Sequence, residues 1–450
     1  MARRTVLGIQ SSPARLLVGA FILVLVTGTV LLSLPVSTEV TGRTDLITAL
    51  FTATSALTVT GLVVVDTPTH WTPFGQIVLL VLIQLGGLGI ITLGSLAGLV
   101  VSRKIGLRGR RLAQVESGGS GGLDLGDVGR VVKGVLLVAF TVEAVLFVAL
   151  SLVFWTRYDE SVWAAIELGG FHAVSAFNNA GFALFSDSLE GFVTDPFVNI
   201  IVMVAVLAGA VGFPVLNDLR TQPKRPRRWS LHTKLTLSAM GTVLVIGALV
   251  LLIFEWNNAA TLGPLDTGQK IMASGFNSSM RTAGFSTIDY GAANETTQLA
   301  TIISMFIGGG SVSAAGGIKV TTMALLVLAV WAEYRGDADV TAFGRRMPGG
   351  VVRQAIAVTI TVALAQLIGT MLLLASGPFE LTDALFEATS AVGIVGLSTG
   401  ITPDLDSEGR LIIITLMVLG RLGPLTVGTA LVLRERDRLY RYPEERPFVG

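Results

Sequence analysis

Four short stretches carry residues whose types and spacing could do chemistry. They are Thr58-Val59-Thr60-Gly61, Asn178-Asn179-Ala180-Gly181, Arg281-Thr282-Ala283-Gly284 and Gly393-Ile394-Val395-Gly396. None contains a carboxylate, which argues against a divalent-cation site built from Asp or Glu rings. The chain has no cysteine, which excludes thiolate metal sites, disulfides and cysteine nucleophiles. What each stretch offers is a run of main-chain carbonyls closed by a glycine. Glycine accepts left-handed dihedrals, so the carbonyls before it are free to turn inward. A cation stripped of its water loses on the order of tens of kcal/mol by Born estimates if nothing replaces it. Rings of neutral carbonyl oxygens replace that water without strong anionic binding, which suits a monovalent ion that must leave again.

A second stretch reads Ile307-Gly308-Gly309-Gly310-Ser311-Val312-Ser313-Ala314-Ala315-Gly316-Gly317-Ile318-Lys319. Its glycines and serines disfavour a stable helix, so an irregular loop inside the membrane is expected over 308–317. Lys319 marks the cytoplasmic end of that loop, snorkelling being its bland alternative. Arg421 stands in an apolar run, where a charge costs at least ~2.5–3.5 kcal/mol on insertion scales. It is therefore expected to face an aqueous cavity and to have a partner. A guanidinium at Arg281 would oppose a cation if it pointed at one. Its side chain is expected to brace the stretch from behind, leaving its carbonyl as the ligand. Glu143 is read as an inter-helix hydrogen-bonding or subunit-contact residue ahead of an ion-transport role.

The elements that position these residues follow from hydropathy. Of 450 residues, 51% are hydrophobic and only 14% charged, which excludes a water-soluble enzyme, a disordered chain and a secreted disulfide scaffold. Long apolar runs lie at about 15–35, 72–101, 131–155, 196–218, 232–255, 298–330, 351–376 and 410–433, giving eight candidate spans. Between them sit shorter stretches at about 45–58, 163–177, 268–280 and 382–392, the length of re-entrant segments. The first run lacks a small-residue cleavage site and is read as a retained helix rather than a signal peptide.

The order long–short–long recurs four times. The anchor glycines Gly61, Gly181, Gly284 and Gly396 are 120, 103 and 112 residues apart. Six residues before each stands Ser55, Ser175, Ser278 or Ser390. Ten before stands Phe51, Phe171 or Phe386, with Ser274 in the third copy. One after stands Leu62, Phe182, Phe285 or Leu397. Each following long run contains a glycine-rich cluster, expected to break its helix: Gly86-Gly87-Leu88-Gly89, Gly209-Ala210-Val211-Gly212, Gly308-Gly309-Gly310 and Gly420-Arg421-Leu422-Gly423. The repeats are bounded at 1–116, 117–228, 229–345 and 346–450, the last including a C-terminal tail.

Basic residues gather between the repeats and at the ends: Arg103, Lys104, Arg108, Arg110 and Arg111; Arg220 to Lys234; Arg335 to Arg353; and Arg434 to Arg446. Acidic residues such as Asp66, Asp187, Glu190, Asp289 and Asp404 flank the short stretches. The inter-repeat loops and both termini are therefore expected in the cytoplasm, with the short segments entering from outside. All four repeats then start on the same side. Parallel copies are related by an axis along the membrane normal and enclose a central path. The fold class is an all-α membrane protein of four parallel membrane–pore–membrane repeats.

With segments such as Phe177-Asn178-Asn179-Ala180-Gly181-Phe182 and Arg281-Thr282-Ala283-Gly284-Phe285, the chain resembles the Trk/Ktr/HKT potassium-transporter superfamily over nearly its whole length. It resembles the Ktr-type membrane subunit more than the longer Trk type. The resemblance implies a pseudo-fourfold K⁺ pore with a selectivity filter at the four anchors. The implied gate is formed by Gly308, Gly309, Gly310, Ser311, Ser313, Gly316, Gly317 and Lys319 together with Arg421. It also implies K⁺ uptake across the bacterial cytoplasmic membrane, Na⁺ as an activator and a homodimer in membrane lipid. A cytoplasmic ring of RCK-type nucleotide-binding regulatory subunits is implied as partner. Family members with serine at the first anchor tend to pass Na⁺, so Gly61 favours K⁺.

No nucleotide-binding motif, organic cofactor site or nucleic-acid surface is expected in this chain. The pattern Gly118-x-Ser120-x-Gly122 lacks a preceding strand and reads as loop. His70, His172 and His232 form no metal spacing. Two competing classes are an alternating-access secondary cation symporter and an intramembrane hydrolase. The first predicts inverted repeats and acidic coupling residues. The second needs a catalytic cluster that the sequence does not assemble.

Overall fold

The structure, a computed structural model, describes residues 13–39, 43–104 and 125–433. Arg3, Arg4, Arg108, Arg110, Arg111, the 117–122 stretch and the basic residues from Arg434 onward lie outside the described residues. The first repeat contains α1 (Pro13–Leu32), the short α2 (Leu46–Thr58), the single turn α3 (Thr67–His70) and α4 (Pro73–Lys104). Next come α5 (Leu125–Arg157), the short α6 (Val162–Phe177), and α7 (Pro196–Val211) followed by α8 (Phe213–Thr221). Then follow α9 (Leu231–Phe254), the short α10 (Thr267–Met280), α11 (Glu295–Phe306) and α12 (Val320–Arg335). A two-residue hairpin, β1 (Thr341–Ala342) against β2 (Arg345–Arg346), leads to α13 (Gly349–Ser376), the short α14 (Leu381–Gly393) and α15 (Ser407–Leu433).

Among the described residues, three helices are long and apolar enough to cross a membrane: α5 over Val132–Arg157, α9 and α13. The pair α7 and α8, bent by 102°, makes a fourth if counted as one span. The helices α1, α4 and α15 run 20, 32 and 27 residues. At 1.5 Å per residue the shortest reaches about 30 Å, the depth of a bilayer core.

Three of the four short helices begin where a side chain accepts the first free N–H groups. Asp45 accepts from Thr48 N at 3.3 Å, Ser161 from Ala164 N at 3.2 Å, and Asp266 forms a reciprocal capping box with Gln269. Their far ends are buried among apolar side chains. Phe51, Phe171 and Phe386 are nearly inaccessible, and in the third copy, which has Ser274 at that position, Phe276 is likewise buried.

The packing closes on itself. Each short helix lies against the second long helix of the repeat before it: α6 on α4, α10 on α7, α14 on α11, and α2 on α15. The apolar cores follow the same circuit. The first repeat's core takes in Phe171 and Phe182 of the second; the second's takes in Phe276 and Phe285 of the third. The third repeat's core takes in Phe386 and Leu397, and the fourth's takes in Phe51 and Leu62 of the first. The residue after each anchor glycine is thus the plug of its predecessor's core.

Two of the four expected helix breaks do not occur. The helices α4 and α15 run unbroken through Gly86-Gly87-Leu88-Gly89 and Gly420-Arg421-Leu422-Gly423. These glycines serve close approach instead. A β-carbon on Gly86 would collide with Leu57 O, and one on Gly420 with Val392 O. The second repeat bends at Gly212, whose φ of 90° is open to glycine. The third is interrupted over 307–319.

Candidate functional site

The four short helices end at the anchors. Just before three of them the backbone turns left-handed: Val59 at φ 63°, Asn179 at 58° and Ile394 at 55°. The turn is closed by hydrogen bonds back to the helix, Thr60 N to Ser55 O at 2.8 Å, Ala180 N to Ser175 O at 2.7 Å and Val395 N to Ser390 O at 2.9 Å. The third repeat differs: Ala283 N and Gly284 N both return to Met280 O, at 2.9 and 3.1 Å. All four anchor glycines have positive φ, between 70° and 95°. Glycine is required on a second ground as well. A β-carbon on Gly61 would strike Ala180 O; on Gly181, Ala283 O; on Gly284, Val395 O; on Gly396, Thr60 O. Each glycine therefore lies against the carbonyl before the next repeat's glycine, and the series returns to its start.

Among the described residues, no donor bonds the carbonyls of Thr60, Ala180, Ala283 or Val395. A cavity of about 280 Å³ stands over the ring, and Gly61, Gly181, Gly284 and Gly396 all line it. Its walls carry Asp66, Asp187, Glu190 and Asp289. Burial, and the like charges of Asp289 and Asp187, push the Glu190 carboxyl up to about 7.

Side chains behind the ring hold it in place. Ser55 and Ser390 accept from the N–H of Gly61 and Gly396 at 3.1 and 2.9 Å, while Ser175 donates to Phe182 O at 2.7 Å. The spacing of these serines is legible in the sequence; their partners are not. Asn178 Nδ2 donates to Gln84 Oε1 and Glu143 Oε1, both at 3.0 Å, and Gln84 Nε2 donates to Glu143 at 2.9 Å. Glu143 is thus an inter-helix brace behind the second stretch. Asn179 reaches across to Thr282 Oγ1 at 3.2 Å, and Thr58 shares a hydrogen with Thr60 at 2.7 Å. Two groups carry no signal in the sequence: the buried Glu387, which accepts from Thr402, and the half-buried Arg410, which donates to Thr48 at 3.0 Å. His172 lies within α6 and accepts from Leu184 N at 3.3 Å.

Beneath the ring, the segment 307–319 is irregular as its glycines require. It crosses to the second repeat, where Gly310 N donates to Ala210 O at 2.8 Å and Ala314 N to Gly209 O at 3.2 Å. Phe213 N donates back to Val312 O at 3.2 Å, so the bend at Gly212 receives the loop. On the other side Gly316 is pressed on Gly393 and Ile394, and Gly317 turns at φ 68° beside Gly308. Ser313 donates to Gly310 O at 2.6 Å, and Ser311 pairs with Thr321 at 3.1 Å.

Three cations grip this segment by its carbonyls. Arg421 Nη1 donates to Ala314 O at 2.8 Å and Nη2 to Gly86 O at 2.7 Å, tying the loop to the first and fourth repeats. Arg421 projects from a continuous helix rather than from a break. Lys319 Nζ folds back onto Ala315 O at 2.6 Å instead of snorkelling. Arg281 Nη1 donates to Ile307 O. Among the described residues none of the three meets a carboxylate.

The family described as "TrkH: Cation transport protein" matches residues 15–442. The chain is 39% identical to a Ktr system potassium uptake protein B of Bacillus subtilis, over 98% of each chain. It is 33% identical to a potassium/sodium uptake protein, NtpJ, of Enterococcus hirae, over 98% of this chain and 97% of the relative. Its fold is similar to the crystal structure of the potassium transporter TrkH from Vibrio parahaemolyticus. There the TM-score is 0.69 at 21% identity, covering 96% of this chain and 86% of that one.

Proposed function

The chain belongs to the TrkH family of cation transport proteins, and from that premise we propose that it is the membrane subunit of a potassium-uptake system with a gated, channel-like path. The observation that carries this reading is the closed series of four glycines and unbonded carbonyls at the floor of an acid-walled cavity. The carboxylates raise the local concentration of cations at the mouth. The ion sheds its water as it meets the carbonyls of Thr60, Ala180, Ala283 and Val395, neutral ligands that release it as readily as they take it. Four parallel repeats around one axis form the path. The loop 308–317, with Lys319 and Arg421, is its gate.

Further parts of this reading come from family likeness. They are activation by Na⁺, a homodimer, a cytoplasmic ring of nucleotide-binding subunits, and a place in the cytoplasmic membrane with both termini inside. The repeat boundaries given above belong to it too. Liposome flux under an imposed K⁺ gradient with varied Na⁺ tests the core of the proposal. Flux that follows the K⁺ gradient passively supports it. Obligatory coupling at a fixed ratio points to an alternating-access symporter instead.

A further inference from the structure

Arg281 is where the ring and the interrupted helix meet. Its main chain caps α10 three residues before Gly284. Its side chain turns away from the ring and is only 2% exposed. Nη1 donates to Ile307 O and lies 3.3 Å from Gly308 O and 3.4 Å from Ser304 O. These carbonyls are the last turn of α11 and the first residues of the loop. Nε has no partner, so the guanidinium's hold rests on this one set of acceptors.

The other repeats attach their filter stretches differently. At the position of Arg281 they carry Thr58, Asn178 and Gly393, all uncharged. Gly86, Gly209 and Gly420 press their long helices directly onto the carbonyls of Leu57, Phe177 and Val392, each four residues before its ring glycine. The matching residue in the third repeat, Gly308, faces Gly316 O of the loop instead. A cavity of about 290 Å³ lies between α9, α10 and α11 and reaches the end of α11, lined by Gly247, Asn277, Ser278, Thr301, Ser304 and Ile307. The third filter stretch is therefore joined to its long helix by a charge, and the acceptors of that charge are the hinge of the loop.

We infer that Arg281 is a positioning residue that makes the ion preference of the ring depend on the state of the loop. This rests on the reading of the ring as filter and the loop as gate. With the loop in place, Nη1 anchors the 281–284 stretch. When the loop moves, the carbonyls of Ile307 and Gly308 move with it, and the neighbouring cavity gives the end of α11 room to shift. The stretch then loses its anchor while a cation without acceptors sits three residues from the ring. Both effects weaken discrimination between K⁺ and Na⁺.

The test compares four full-length proteins in liposomes: the unaltered chain, one lacking residues 311–316, Arg281→Gln, and the two changes combined. Coupling between distinct sites commonly reaches about five- to tenfold, and the same size is expected here. Removing 311–316 should lower the K⁺:Na⁺ flux ratio by about that factor when Arg281 is present and by less than about twofold with glutamine there. A purely structural Arg281 would shift the ratio equally in both backgrounds, or in neither, and either result overturns the inference. Two controls keep the underlying readings separate. Gly284→Ser alone should lower the ratio if the ring selects, and loop removal alone should raise K⁺ flux if the loop closes the path. Should Arg281→Gln fail to fold, Arg281→Lys takes its place. A single ammonium should leave an intermediate shift, and a shift equal to that of the unaltered chain would overturn the coupling.

Discussion

The ring and the layer beneath it are built on opposite plans. At the ring, four glycines with positive φ each meet the neighbouring repeat's carbonyl in the same way. One layer deeper, α4 and α15 pass straight through, α7 and α8 bend by 102° at Gly212, and α11 and α12 are separated by a loop. The ring itself offers only neutral groups, and the charges of Glu143 and Arg281 reach its stretches from behind. The layer beneath is held by Arg281, Lys319 and Arg421 bonded to carbonyls with no counter-charge among the described residues. Likeness suits a spherical ligand that must meet equal oxygens from all sides. Unlikeness suits control, because only one segment then has to move.

The contrast is broken most sharply at the ring. Gly396→Ala adds a methyl group where Thr60 O already lies, at a φ of 95°. Uptake of K⁺ should fall about a hundredfold, the equivalent of ~2.7 kcal/mol in a barrier. Normal uptake by Gly396→Ala would mean that the glycines do not line the path. Removing residues 311–316 should act in the other direction, raising K⁺ flux about tenfold; unchanged flux from folded protein would deny the loop its closing role. Arg421→Gln keeps some hydrogen bonding to Ala314 O but loses the charge, so a smaller rise of about three- to fivefold is expected. Gly86→Ala and Gly308→Ala separate packing from control. The first should cost about 1–3 kcal/mol of stability through its collision with Leu57 O, read as a lower Tm. The second should alter flux more than Tm.

The smallest effect concerns the mouth. Glu190, raised to about 7, is neutral below that pH and charged above it. The attraction for cations should therefore weaken as pH falls from about 8 to 6, roughly doubling the K⁺ concentration needed for half-maximal uptake at low salt. Glu190→Gln should flatten that dependence. If the profile survives the substitution, another group is titrating.

Much of this arrangement was legible in the residues. The four short segments, the anchor glycines and the irregular stretch all announce themselves through hydropathy, spacing and glycine content. The glycine clusters on the long helices predict four breaks, and only Gly212 and 307–319 are breaks. A glycine that ends a helix and a glycine that admits a neighbour's carbonyl look alike in a sequence, since both need the absence of a β-carbon. Gly86 and Gly420 are of the second kind, and only the proximity of Leu57 and Val392 reveals it. Likewise the sequence places Arg281 beside an anchor and Gln84 inside an apolar run. Their partners, Ile307 and Glu143, are set by how distant segments pack.

Because each repeat lends the residue after its ring glycine to its predecessor's interior, the circuit bears on how the chain is made. Phe51 and Leu62 emerge early in synthesis, yet the helices that seat them, α13 to α15, come last. The opening quarter must wait in the bilayer with its socket unbuilt, and only the final helix can lock the circle.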